Sequence, residues 1–491
     1  MKYKAVFANS FSRHEQKKFS YGAFFGCSII ILTSFVVYKP SFSCLPVRNA
    51  NEISNDKLKR EIKQGISNPV SELKKEIKVS INSTEMKLEA KFSNTEMKPP
   101  VCDVSDRMTD FCDISGDVRI HGKSSTVLFS TSSQNDPYSG KESWKVKPYP
   151  RKADPEAMRS VSQFSIKSFI NNTDKEAPQC NFSHNVPAII FSTAGYSWNH
   201  FHAYTDVLIP LFLTSHKFNQ EVQFLITSSS QYWIHKYEEI FKHLSRYPII
   251  DIDNEENVHC YKRVIVGLKV HKEFNIDPMK SPKGYSMTDF TTFLRSAYAI
   301  NTKSSAIRIK RNRKSKNQQL QPRLLLVSRK RSRKFANEGE IVNMARSLGY
   351  EVIVAELRTG MNYSRFAEVV STCDVMVGVH GAGLTNIVFL PINAILIQIV
   401  PLGGLEWACR TDFGEPAKDM KLRYLEYKIS EKESSLIERY PLDHAVFRNP
   451  RSITKQGWNA LKDIYLDKQD VHIDVHRFRP TLLNALQLLR K

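Results

Sequence analysis

The sequence predicts an α/β protein with two doubly wound domains facing each other, and three observations lead there. Short β-rich runs alternate with helical patterns in two separate sets, which is the signature of βαβ units and parallel sheets. A strongly basic window separates the sets. The chain has 491 residues, 41% hydrophobic and 25% charged, an ordinary balance for two or three globular units.

The first set runs through PAIIFS at 187–192, VQFLITS at 222–228, the helix-like WIHKYEEIFKHLS, PIIDID and RVIVGLKV. The second opens with RLLLVS at 323–328, followed by a helix over 338–348, EVIVAEL at 351–357, a helix over 363–372, DVMVGV at 374–379 and AILIQIV at 394–400. These sets define an N-terminal domain over 101–315 and a C-terminal domain over 316–440, with 441–491 expected to pack back on the core.

Ahead of them, residues 21–38 (YGAFFGCSIIILTSFVVY) form an 18-residue run without a charge, just long enough for a helix across a hydrocarbon layer of roughly 30 Å. Lys2, Lys4, Arg13, Lys17 and Lys18 precede it against Glu15 alone, so the positive-inside rule keeps residues 1–20 as a cytosolic tail. The rest of the chain would then face a lumen. A cleaved signal peptide ending near Ser41, Phe42 and Ser43 is the rival reading, but the run exceeds the usual apolar length of about 7 to 15 residues. Residues 39–100 are Lys/Glu-rich with few aromatics and bury too little apolar surface for a core, so they read as a stem.

Eight cysteines, at 27, 44, 102, 112, 180, 260, 373 and 409, contain no CxxC pair, so zinc is not expected. In an oxidising lumen some of the later six would form disulfides; Cys102 and Cys112 are the nearest pair, and buried thiols are the alternative for Cys373. Sequons at Asn82, Asn171, Asn181 and Asn362 fit a lumenal chain.

Lys and Arg outnumber Asp and Glu by 71 to 50, a net charge of +21 that points to an anionic partner. The basic window from Lys303 to Lys334 invites a nucleic-acid reading. Behind a membrane anchor it reads instead as a solvated linker whose later arginines meet a phosphorylated ligand, so no nucleic-acid partner is expected.

The stretch MVGVHGAGLTNIVFLP, 376–391, places a histidine and two glycines where a buried strand ends. In an open α/β sheet, ligands lie outside the carboxyl ends of the strands. Gly381 and Gly383 allow positive φ and close backbone approach, the amides opening the next helix point at an anion, and His380 adds a donor at the strand tip. Alone, this could equally be a glycine turn joining strand to helix. LLLVSRKRSRKFANE adds Arg329 and Arg333 at the exit of the first strand of the same half, and guanidinium groups suit bidentate phosphate recognition.

In the first half, STAGYSWNHFHAYTDVLIPL at 192–211 leads from a strand into a helix, with Asn199, His202 and Asp206 on one face of its opening turns and His200 one position off it. A carboxylate four residues from an imidazole holds its tautomer and raises its basicity, as a general base requires. By pattern alone, a capping Asn beside a surface His and Asp fits equally well.

Together these stretches resemble glycosyltransferase family 61, especially its plant members that decorate xylan. The resemblance also runs through CDVSDRMTDFCDISGDVRIHGKSSTV at 102–127, WKVKPYPRK at 144–152, VHCYKRVIVGLKVHKEF, DFGEPAKDMKLRYLEY, ESSL at 433–436 and QDVHIDVHRFRPTL. It implies a GT-B architecture of two Rossmann-like domains, a type II Golgi membrane anchor with a lumenal catalytic domain, and inverting transfer without an essential metal. The implied donor is UDP-xylose or UDP-arabinofuranose, the acceptor xylan or another glycan, and complexes with other Golgi glycosyltransferases are expected partners.

By the same resemblance Arg329, Arg333, His380, Gly381 and Gly383 would bind the nucleotide diphosphate, Asn199 would close on it, and His202 oriented by Asp206 would be the base. Asp206 itself or Glu415 competes for that role. Ala203 and Trp198 depart from the family pattern. An N-glycan β-1,2-xylosyltransferase and a non-catalytic glycan-binding relative are the alternative readings of function.

Overall fold

In the computed structural model, which describes residues 101–131, 143–170, 177–300, 321–356 and 360–490, the apolar runs become strands of two sheets. The larger sheet holds β1 (Cys102–Asp103), β2 (Phe111–His121), β3 (Thr126–Thr131), β4 (Ser143–Val146) and β5 (Phe164–Ile170). It continues with β6 (Phe182–His184), β7 (Ala188–Ser192), β8 (Gln223–Thr227), β9 (Ile250–Asp251) and β10 (Val258–Val266). The smaller holds β11 (Arg323–Val327), β12 (Glu351–Ala355), β13 (Val375–Val379), β14 (Ile395–Val400) and β15 (Arg423–Lys428).

The larger sheet is mixed. Its order is β4-β5-β3-β2-β10-β7-β8-β9, with β1 on β2 and β6 on β10. From β10 to β9 the pairing is parallel, whereas β2 runs antiparallel to both β10 and β3. The smaller sheet is parallel throughout, in the order β12-β11-β13-β14-β15.

Strand alternation explains why the strands of the smaller sheet read as continuous apolar runs. Leu325, Val327 and Met376 enter one core, while their neighbours Leu324, Leu326, Val375 and Val377 enter another on the opposite face. The C-terminal helix (Val475–Arg490) lays Phe478, Leu482 and Ala485 into that second core.

The first of these cores does not stop at the smaller sheet. It continues through Leu384 and Phe389 to Tyr204, Phe212 and Phe290 of the first half. Tyr204 and Tyr363 share a hydroxyl hydrogen bond at 2.9 Å, and Arg295 donates to the carbonyl of Phe389 at 3.2 Å. Removing such side chains from water contributes about 1.5–3 kcal/mol each, so a core shared by both sheets resists separation.

The expectation of two facing doubly wound domains behind a membrane helix is therefore corrected. The described residues belong to one compact unit, 97–491, whose larger sheet is mixed because antiparallel strands from residues 102–170 extend it. The anchor expected at 21–38 lies outside the described residues, as do the tail and stem; among the described residues no helix is long and apolar enough to cross a membrane.

Disulfides join Cys102 to Cys112, tying β1 to β2, and Cys180 to Cys260, tying the chain before β6 to β10. Cys373 and Cys409 are buried and stand outside both disulfides.

Candidate functional site

The order of the smaller sheet reverses between β11 and β13, because the chain leaves β11 toward β12 on one side and returns to β13 on the other. A crevice opens at the carboxyl ends of two strands whose exit loops part this way. The loop after β11 carries Arg329 and Arg333, and the loop after β13 carries His380 and Gly381.

These residues meet. Gly381 has φ 141° and ψ 179°, a region essentially reserved for glycine. A Cβ there would stand 2.6 Å from Arg333 Nη1 and 2.8 Å from Arg329 Nη1, so both guanidinium groups lie against its bare backbone. Arg333 Nη1 donates to the His380 carbonyl at 2.7 Å and Arg329 Nε to the Ser332 carbonyl at 2.9 Å. Gly383 sits where a Cβ would meet Val327 Cγ1 at 3.0 Å, which lets the turn Ala382–Phe389 pack close on β11.

No carboxylate among the described residues forms an ion pair with either arginine, and Arg333 Nε is buried without a hydrogen-bond partner. Burial, then repulsion from Arg329, depresses Arg333 to about 9; burial also lowers Arg329. Arg333 nonetheless remains a cation at neutral pH, and the low value measures how unfavourably it is held.

His380 is buried and pushed down to about 3, by burial first and then by the two arginines, so its ring is neutral. Tyr424 donates to Gln398 Oε1 at 2.8 Å, so the Gln398 amide donates to His380 Nδ1 at 2.9 Å and the ring proton sits on Nε2. That nitrogen is 3.9 Å from Asp412 Oδ2.

A second cluster stands on α1, the helix over 200–215, which winds as π-helix over Ala203–Leu208. Asn199 caps it, its side chain accepting from the Phe201 amide at 2.9 Å. Asp206 is buried and accepts four donors: Arg151 Nε at 3.0 Å and Nη2 at 2.8 Å, the Tyr149 hydroxyl at 2.6 Å and His202 Nδ1 at 3.1 Å. Burial pushes its carboxyl up, but the bonds from His202 and Arg151 outweigh that and hold it below the usual carboxylate range.

An ionised carboxylate only accepts, so His202 must carry its proton on Nδ1, which leaves the lone pair on Nε2. Arg151 Nη2 also lies 3.3 Å from Nδ1, but its protons go to Asp206 and to Glu273 Oε2 at 2.7 Å. Asp206, with every lone pair engaged, orients the imidazole and does not accept a proton itself.

His200 bridges the two halves. Its Nε2 lies 3.2 Å from both Asn386 Oδ1 and the Tyr363 hydroxyl, and Asn386 in turn donates to the Gly383 carbonyl at 3.0 Å. Burial, then the Lys236 charge, lowers His200 to about 3.

Phe413 joins the clusters, its ring 5.7 Å from that of His380 and 5.4 Å from that of Phe201. Beside it, half-buried Asp412 feels Glu273 and Arg151 as well as His380; burial, then Glu273, raises its carboxyl to about 7.

Sequence reasoning did not single out Arg151, Glu273, Tyr149 or Asp412. WKVKPYPRK and DFGEPAKDM were noted only as family stretches, and Glu415 was considered where Asp412, three residues earlier, holds the cleft. Glu415 is exposed at the start of the helix Glu415–Asp419. Of the sequons, Asn181 and Asn362 are exposed, Asn362 also capping the helix Tyr363–Ser371, while Asn82 and Asn171 lie outside the described residues.

The family model described as Glycosyltransferase 61 matches residues 200–397, from the His200 bridge through the strand after the HGAG loop. The alpha-1,3-arabinosyltransferase XAT2 of Oryza sativa subsp. japonica is 47% identical over 396 residues, covering 80% of this chain and 65% of the relative. XAT3, a second alpha-1,3-arabinosyltransferase from that organism, is 47% identical over 392 residues, covering 79% and 65%. The beta-1,2-xylosyltransferase XYXT1, also from Oryza sativa subsp. japonica, is 43% identical over 401 residues, covering 79% of this chain and 84% of the relative. The chain thus spans 65% of the length of the two arabinosyltransferases.

Proposed function

Because this chain belongs to glycosyltransferase family 61, we propose that it moves a pentose, xylose or arabinofuranose, from a UDP-sugar to a hydroxyl of xylan. The observation that carries this reading is the pair of half-buried guanidinium groups, neither in an ion pair with a carboxylate among the described residues, packed on Gly381 at the switch point of a parallel sheet. Such an arrangement is unfavourable when empty and favourable around a diphosphate.

In the proposed reaction the acceptor hydroxyl oxygen attacks the anomeric carbon of the donor sugar and gives its proton to His202 Nε2. The bond from that carbon to the β-phosphate oxygen breaks, and the electron pair leaves on UDP. Arg329, Arg333 and the amides after Gly381 take up the developing charge, the role a divalent ion would otherwise fill, so activity is expected without added metal. Asp206 stabilises the imidazolium that forms. Asn199, on the rim of α1, offers its free amide protons to the donor. Two disulfides and two exposed sequons fit an oxidising secretory compartment, and we assign the catalytic residues to the Golgi lumen.

The test incubates purified protein with UDP-xylose or UDP-arabinofuranose and xylo-oligosaccharides in the presence of a chelator, with UDP binding followed by calorimetry. Pentosyl transfer that Arg329→Ala abolishes along with UDP binding is expected. UDP affinity unchanged by that substitution would overturn the assignment of the donor site.

A further inference from the structure

Outside the two clusters, one surface feature is built as though to receive something flat. Trp198 is 62% exposed and Tyr232 46% exposed, although large aromatic side chains are the ones a fold gains most from burying. Their rings lie within 3° of parallel with centroids 6.4 Å apart, well beyond face-to-face van der Waals contact, so apolar ring surface is left uncovered.

The platform is rigid for a local reason. Trp233, buried beside Tyr232, donates its indole N–H to the carbonyl of Ser197 at 2.9 Å, and buried Ser197 bonds back to the Thr193 carbonyl. Each exposed ring is therefore one residue away from a fixed hydrogen bond, and little ordering entropy remains to be lost on binding.

Its position is equally specific. Trp198 directly precedes Asn199, the cap of the helix whose first turn carries His202, and the Tyr196 ring from the same turn is 5.0 Å from that of His202. Trp198 thus stands just ahead of the turn that carries the proposed base, while the arginines proposed for the diphosphate follow β11 of the smaller sheet.

Resting on the glycosyltransferase reading, we propose that Trp198 and Tyr232 form an acceptor subsite that stacks a xylopyranose ring of the polysaccharide near the sugar being modified. A β-linked xylopyranose carries its hydroxyls equatorially and has no exocyclic carbon, so both ring faces present C–H groups. Those faces complement the negative π-face of an aromatic ring and need no charged partner. The subsite selects for a chain of flat, neutral pentopyranoses and leaves the donor unread.

Calorimetry of full-length protein with xylohexaose and, separately, with UDP tests the assignment. Trp198→Ala and Tyr232→Ala should each weaken xylohexaose about tenfold, with partial recovery in Trp198→Phe, while UDP affinity stays at the wild-type value. Kinetics should show the acceptor KM rising more for xylohexaose than for xylobiose. Xylohexaose binding that is absent in the wild type, or undiminished in Trp198→Ala, overturns the subsite. Wild-type binding without pentosyl transfer would instead count against the proposed reaction and leave the subsite standing.

Discussion

Replacing Arg333 with Met separates a ligand-binding charge from a structural one. The substitution removes the bond from Nη1 to the His380 carbonyl, 2.7 Å long, which as a charged hydrogen bond contributes about 1.5–3 kcal/mol. It also removes a cation that burial and Arg329 have driven from 12.5 to about 9, which corresponds to a few kcal/mol of unfavourable placement at 1.36 kcal/mol for each pH unit. The methionine stem keeps most of the packing. The second term is at least as large as the first, so the empty variant should be no less stable than wild type. Binding should not survive so well. UDP at a hundred times its Kd stabilises the wild type by about 2.7 kcal/mol; a variant binding a hundredfold more weakly gains only about 0.4 kcal/mol at that concentration. Thermal unfolding with and without UDP reads both quantities in one experiment. A variant destabilised by more than about 3 kcal/mol that keeps the full UDP-induced shift would show Arg333 to be a structural residue and refute the reasoning.

Gly381→Ala meets a backbone conformation that costs an L-residue about 1–3 kcal/mol and puts a methyl among both guanidinium groups, so UDP binding should fall at least tenfold; calorimetry decides. His202→Ala should lower turnover about a hundredfold or more with UDP affinity intact, and steady-state kinetics with normal turnover would remove it as base. Asp412 titrates near 7 against an ordinary 3.8, so the native state holds a proton that the unfolded chain has lost between about pH 4 and 7. Stability therefore falls as pH rises through that window, and Asp412→Asn should gain about 1–2 kcal/mol over wild type at pH 8 and nothing at pH 4 in denaturant titrations. Cys260→Ser opens a loop with a sequence separation of 80 and should lose about 2–4 kcal/mol, seen as a lower unfolding midpoint under non-reducing conditions, with reductant lowering the variant's midpoint less than the wild type's because only Cys102–Cys112 is left to cleave.

The central parallel strands were legible because nearly every position is buried. VMVGV at β13 is apolar throughout and AIIFS at β7 apolar but for its final serine, and the structure buries all five residues of each. The strands from β1 to β5 were not legible, because they expose alternate residues and carry charges: in FCDISGDVRIH the buried positions include Cys112, Ile114, Val118 and Ile120, interrupted by Asp, Ser, Gly and Arg. That invisibility is what made two similar domains look right and left the mixed sheet unforeseen. The loops after β11 and β13 were readable because each of their residues is close in sequence to a strand end. Arg151 was not, since its meaning lies in Asp206 and Glu273, 55 and 122 residues away, reached from a backbone at φ 103°.

The electrostatics separate structural charge from functional charge without any ligand in view. Glu433 is buried, yet it accepts from the Tyr427 hydroxyl at 2.5 Å, Ser430 at 2.7 and 2.9 Å and the Asp474 amide at 2.9 Å, with Arg477 beside it, and its carboxyl is held low despite burial. Asp206 is satisfied in the same way, which is why it can position His202 without titrating. Arg333 and Asp412 are the reverse: each is held away from its ordinary protonation equilibrium, and neither forms an ion pair shorter than 3.9 Å among the described residues. A guanidinium pair and a carboxyl group that lack close ion-pair partners among the described residues are what the proposed ligand would complete. An anion reaching Arg329 and Arg333 relieves the first imbalance. The second is Asp412, a carboxyl raised to about 7 that lies 3.9 Å from His380 and also feels Glu273 and Arg151, so it links the His380 loop to the His202 cluster.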